Sequence, residues 1–226
     1  VIKQAEELAG RMHLSAEDTD LARLIALLHD IGRFEQLKRY DSFEPGTMDH
    51  AAYGVKVLFD EGMIRRFLPD DKWDSIIYTA IAHHSDYELP EISDPQTLLH
   101  AKLIRDEDKL DNCRVKLVDS TSTFINVSEE ELGTQNITQK VYETVFENKC
   151  ILSADRVTQM DYWVSYIVYF FDINFKESFD IIAENDYLNR IIDRISYSNP
   201  VTKEQMENIR VYMQNFINSH TNSQSF

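Results

Sequence analysis

Four histidines fall where helices should begin or end, and an aspartate stands beside the first. His29 and Asp30 close the apolar run LARLIALLHDIGRF, from Leu21 to Phe34. His50 lies in MDHAAYGV, and His83 and His84 lie in AIAHHSDY. A single histidine at a helix end is ordinarily a capped or solvated imidazole. Four of them point elsewhere, because a helical bundle gathers helix ends and so brings such rings to one place. Burying a charge is costly unless it is paired or bound to a metal, so an imidazole–carboxylate pair at the end of a buried segment calls for a positive partner. Imidazole and carboxylate without thiolate suit manganese, iron, cobalt, nickel or zinc, whereas magnesium prefers a site richer in oxygen. Asp30 has two oxygens and can bridge two ions. Two-metal sites lower the pKa of a bridging water and brace the attacking and leaving oxygens of a phosphoryl transfer.

A second carboxylate is expected from the charged run Arg105–Asn112. Asp108 and Asp111 lie three apart, on one helix face. Asp108 also shares a face with Ala101 and Ile104, which points it inward, whereas Asp106 and Glu107 read as a solvated stripe. Arg33, Arg105 and Lys109 are cations near these groups, and cations stabilise transferring phosphoryl oxygens. Asp111 is a candidate to orient a histidine, and Glu35 a candidate to orient water. His100, in mid-helix, reads as packed rather than ligating.

The elements that must position these residues are helices almost throughout. The first runs to about Met12. Ser15 caps the second, with Glu17 and Asp18 suiting its positive start. Its apolar residues fall on all sides, which predicts a central helix ended by Gly32. Residues 33–46 read as a loop or short helix closed by Pro45-Gly46. Thr47 or Asp49 caps the next helix, which stops before Gly62. Pro69 and Asp70 open another, closed by His83 and His84, and Thr97–Asn112 is a further one. A polar stretch from Asp119 reads as loop. Helices follow near Thr138–Lys149, Asp155–Phe171, Phe175–Glu184, Tyr187–Ile195 and Lys203–Asn218, ahead of a polar tail. This aromatic-rich half reads as scaffold, substrate wall or homodimer surface. No linker divides the chain, so it reads as a single all-α domain, with a metal-site core over about 1–115 and a helical extension over 116–226.

Composition excludes some partners. A net charge of −16 over 226 residues repels nucleic acid and anionic membrane. Cys113 and Cys150 are the two cysteines and have no CxxC spacing, which fits a reducing, cytoplasmic setting. No apolar run is long enough to span a bilayer. The chain opens on Val1 within a helical pattern, and the expectation is that the natural sequence begins earlier.

The ordered set HD, H, HH and RDEDKLDN resembles the HD-domain superfamily of metal-dependent phosphohydrolases, in its two-metal subset. The resemblance covers about residues 1–115 and implies an all-α bundle. It implies that His29, Asp30 and Asp108 hold one ion, and that Asp30 with His50 and His83 holds the other, with His84 as the alternative. Asp30, Arg33 and Lys109 would then serve the reaction. The substrate implied is a small phosphate ester such as a nucleotide. The family also has a histidine about one helix ahead of the HD pair. His13, the histidine present upstream, sits in a loop, so the expected position lies before Val1.

Two other functions share this pattern. Some members of the superfamily use a di-iron pair for oxidation, which oxygen uptake without phosphate release would reveal. A regulatory or binding module with a relic metal site is the third, and indifference of ligand binding to chelation would favour it.

Overall fold

The computed structural model describes residues 1–41 and 47–221. Among these it is helical, with no strand. The expected Pro45-Gly46 turn and the end of the tail lie outside the described residues. The chain sorts into two compact units, Val1–Asp108 and Lys109–Phe226, which meet within one long helix rather than at a linker.

The first unit opens with α1 (Ile2–Arg11), which buries Ala5, Leu8 and Ala9 on one stripe and packs on α2 (Ala16–Leu28). Ser15 caps α2 by accepting from the Asp18 amide at 3.0 Å. α2 is not buried all round, as its apolar content predicted. Ala22, Ile25 and Ala26 face inward while Leu27 stands in solvent. Gly32 does not end a helix either: it opens α3 (Gly32–Tyr40) after a three-residue turn. α4 (His50–Val55) starts at Asp49, whose carboxylate accepts from the Ala52 amide at 2.9 Å. A π-helical turn, Lys56–Asp60, continues it to Gly62, whose φ of 75° breaks the chain direction. α5 (Asp74–Ala82) begins later than Pro69, after a short 3₁₀ turn at Met63–Arg66. α3 packs on α4, and α4 and α2 pack on α5.

α6 (Pro95–Val118) extends beyond the predicted Thr97–Asn112 at both ends. Its first-unit part buries Ala101, Leu103, Ile104, Arg105, Asp106 and Glu107. The solvated stripe expected at Asp106 and Glu107 is therefore wrong: packing encloses this helix on more than one face, and both carboxylates are fully covered.

In the second unit α10 (Gln159–Val168) is the core element, with Met160, Trp163, Val164, Ile167 and Val168 buried. It contacts three short helices, α7 (Thr121–Ile125), α8 (Glu129–Thr134) and α9 (Gln139–Val145), so part of the expected loop after Asp119 is helical. α11 (Lys176–Glu184), α12 (Tyr187–Asp193) and α13 (Pro200–Thr221) pack on one another. Asp161 is buried without strain, because it accepts from the amides of Thr138, Val157 and Thr158 at 2.9–3.0 Å and from the Thr138 hydroxyl at 3.2 Å. Among the described residues no helix is long and apolar enough to cross a membrane.

Candidate metal centre

The end of α2, the start of α4, the end of α5 and the middle of α6 deliver their polar side chains to one point. His29 caps α2 and Asp30 follows it. His29 Nε2 stands 3.5 Å from Asp30 Oδ2 and 3.7 Å from Asp108 Oδ1. On the other side of the same carboxylate, Asp30 Oδ1 lies 3.3 Å from His50 Nε2 and 3.6 Å from His84 Nε2. The His50 and His84 Nε2 atoms are 3.1 Å apart. Asp30 thus turns one oxygen to each of two nitrogen groups, as a bridging carboxylate does.

Local backbone chemistry sets the rings. A helix leaves its last carbonyls without intrahelical donors. His29 Nδ1 lies 2.9 Å from the Ala26 carbonyl, and His84 Nδ1 lies 2.7 Å from that of Ile81. A carbonyl only accepts, so each Nδ1 carries its proton and each neutral ring presents Nε2 as a lone pair. His50 enters by another route. A Cβ on Gly32 would lie 2.0 Å from the His50 carbonyl oxygen, so only glycine lets the start of α3 pass this close to the start of α4.

The electrostatics follow. Burial disfavours charge on His29, but Asp108 and Asp30 outweigh it and raise its proton affinity above the ordinary value. Burial would also raise Asp30, yet His50, His84, His29 and Arg33 together hold it far below the usual carboxylate range. Asp108 is likewise lowered, against burial, by His29. Burial leads in pushing His50 down, with Arg33 and His84 adding to it.

The donor set fits a cation. His29 Nε2 is buried and has no hydrogen-bond partner among the described residues, although two carboxylates approach it. A lone pair facing anions is satisfied by a proton or a metal ion. His29, Asp30 and His84 each offer a ligand atom, and these atoms all lie within 4.8 Å of one another.

Other expected residues are placed differently. His83, expected to share the second ion, directs Nδ1 to Asp86 at 2.6 Å and stands partly in solvent, while His84 occupies the inner position. His84 continues the buried α5 stripe of Ile77, Ala80 and Ile81, and His83 does not. Arg33 stays beside the centre: its Nε is 3.3 Å from Asp30 Oδ1, and its Nη1 is 3.1 Å from Gln36 Oε1. Lys109, expected to serve the reaction, is nearly buried and paired with Asp172 at 2.6 Å. Arg105 is also committed, to backbone carbonyls. Asp111, the candidate to orient a histidine, pairs with Arg114, and Glu35, the candidate to orient water, pairs with Arg39. His100 is packed, beside Asp18 at 3.2 Å.

Sequence reasoning missed Gln36, which is buried, holds Arg33 and donates to the Thr47 hydroxyl at 2.8 Å. An amide inside an otherwise charged helix was the available signal.

The model of the HD domain matches residues 1–113, half of the chain. The chain belongs to the HD-domain family. The matched span holds every residue of the cluster, from His29 to Asp108. HD domains are in general metal-dependent phosphohydrolases that bind divalent cations, and the His–Asp–His cluster described above is of the kind such ions occupy. No curated protein and no solved structure matches the chain.

Proposed function

We propose that this HD-domain protein hydrolyses a small phosphate ester, with a nucleotide as the first class to test. The observation that carries the proposal is the meeting of His29, Asp30, His50, His84 and Asp108 from separate helices around one carboxylate. His29, Asp30 and Asp108 would hold one divalent ion, and Asp30, His50 and His84 a second. Bound there, the ions would supply a water acidic enough to lose its proton near neutral pH and positive charge for the phosphoryl oxygens.

The chain's own residues supply the rest. The two Nδ1–carbonyl hydrogen bonds lock the tautomer that presents Nε2 inward. Arg33, held by buried Gln36 and about one-third exposed, offers a guanidinium fork at the edge of the centre, where it would pair with a phosphate. The charge of −16 supports a small substrate over nucleic acid or an anionic membrane.

The test is metal analysis of the purified chain together with phosphate release from a panel of nucleotides and sugar phosphates. Transition metal and ester hydrolysis are expected in the wild type, and Asp30→Ala should lose both. Full metal occupancy in Asp30→Ala would remove the basis of the proposal. Oxygen uptake without phosphate release would replace hydrolysis with oxidation.

A further inference from the structure

We infer that Arg105 is the positioning residue of this centre: its guanidinium gathers the carbonyls of residues 83–87 and so sets His84 against Asp30 and His50. The inference rests on the metal centre proposed above and names the device that holds one side of it.

Arg105 is fully enclosed, at 2 % exposure. Its Nη1 donates to the carbonyls of His83 at 3.0 Å and Asp86 at 2.7 Å, with that of His84 at 3.4 Å, and Nη2 reaches Tyr87 O at 3.5 Å. These carbonyls belong to the turn that leaves α5, where no helical donors are available. The turn's own backbone bonds are long: His84 N to Ile81 O is 3.5 Å and Asp86 N to His83 O is 3.4 Å. Arg105 therefore gives the carbonyls of this turn shorter contacts than its own backbone amides do.

The connection to the centre is direct. His84 sits within the clamped segment, and its Nε2 lies 3.1 Å from His50 Nε2. Arg105 and Asp108 are three apart on α6, so one helix carries both the clamp behind His84 and the carboxylate that faces His29. Two sides of the centre are thereby referenced to one rigid element, the arrangement that holds a site to tight tolerance. A planar guanidinium spans several carbonyls at once, whereas an ammonium acts as a single point.

The experiment uses the full chain, with cobalt(II) as the probe and its visible absorption as the readout of coordination. Arg105→Lys keeps a buried cation and should keep native helical circular dichroism. It should bind cobalt about 10–100-fold more weakly, as loss of an outer partner of a ligand typically does, with an altered spectrum. Arg105→Met should lose more; should it not fold, Arg105→Lys carries the test alone. His84→Ala with Arg105→Lys should bind no more weakly than His84→Ala, because Arg105 acts through His84. Wild-type affinity and spectrum in Arg105→Lys would overturn the inference, as would losses that multiply in the double variant. Because cobalt binding is the readout, a wild type that binds cobalt but cleaves no ester overturns the hydrolase proposal alone. One that binds no cobalt overturns both.

Discussion

At position 32 the difference of one methyl group decides whether His50 reaches its partners. An alanine Cβ would lie 2.0 Å from the His50 carbonyl and 2.9 Å from the Gly54 amide, both backbone and neither free to move aside. Gly32→Ala is expected to cost at least about 2 kcal/mol by forced displacement and to weaken metal binding, which urea denaturation and metal titration will measure. Unchanged stability would mean that the close approach is not required. Glu107 offers a second test. Both of its oxygens are buried without hydrogen-bond partners among the described residues, and burial, against the pull of His29, pushes its pKa up to about 8 from 4.5. The folded state thus holds this proton more tightly than the unfolded state does. The stability tied to it is complete below pH 4.5 and lost as pH rises through about 8. In metal-free protein, Glu107→Gln should stabilise the fold at pH 8 by on the order of 3 kcal/mol, and by little at pH 4.5. Parallel stability–pH curves for the two proteins would refute this.

At the scale of elements, one arithmetic recurs on three helices. Ala22, Ile25, Ala26 and His29 follow i, i+3, i+4, i+7, as do Ile77, Ala80, Ile81 and His84, and Ala101, Ile104, Arg105 and Asp108. Each is a buried stripe that ends on a polar group, because residues at that spacing share a face. Read as phase, the stripes separate His84 from His83 and mark Arg105 as an inward cation. Read only as helix ends, as in the sequence, they do not. Asp106 and Glu107 escaped for a different reason: a second face of α6 is also buried, and charge in a run ordinarily means solvent. In the second unit, Asp161 ties Thr138 to the start of α10. Asp161→Ala is expected to destabilise the fold by about 3 kcal/mol or more, since it strands several buried donors. Thermal and chemical denaturation will show it, and a loss below 1 kcal/mol would show that water replaces the carboxylate.

For the whole molecule, the centre lies wholly within Val1–Asp108. A ligand that binds only the folded state stabilises it by mass action. Manganese or cobalt at 100–1,000 times its dissociation constant should raise the Tm by roughly 5–15 °C, chelation should reverse this, and Asp30→Ala should abolish it. An unchanged Tm with added metal would argue that no ion binds here. The all-helical class, the cap at Ser15 and the chemical character of the cluster were legible in the sequence, because caps, periodicity and residue type are local properties. The sequence separates a metal-site core over about 1–115 from a helical extension, whereas the two compact units divide at Asp108, inside α6, where no proline or glycine signals a boundary. Sequence alone determined which kinds of side chain could bind a cation and that they stand near helix ends. Tertiary structure decided that His84 meets Asp30 and His50, that Lys109 pairs with Asp172, and that Arg105 grips a turn. Stripe phase within one helix indicates which residue turns inward, but which carbonyls or carboxylates it then meets depends on the segments packed against it, and that is not written in any single stretch of the chain.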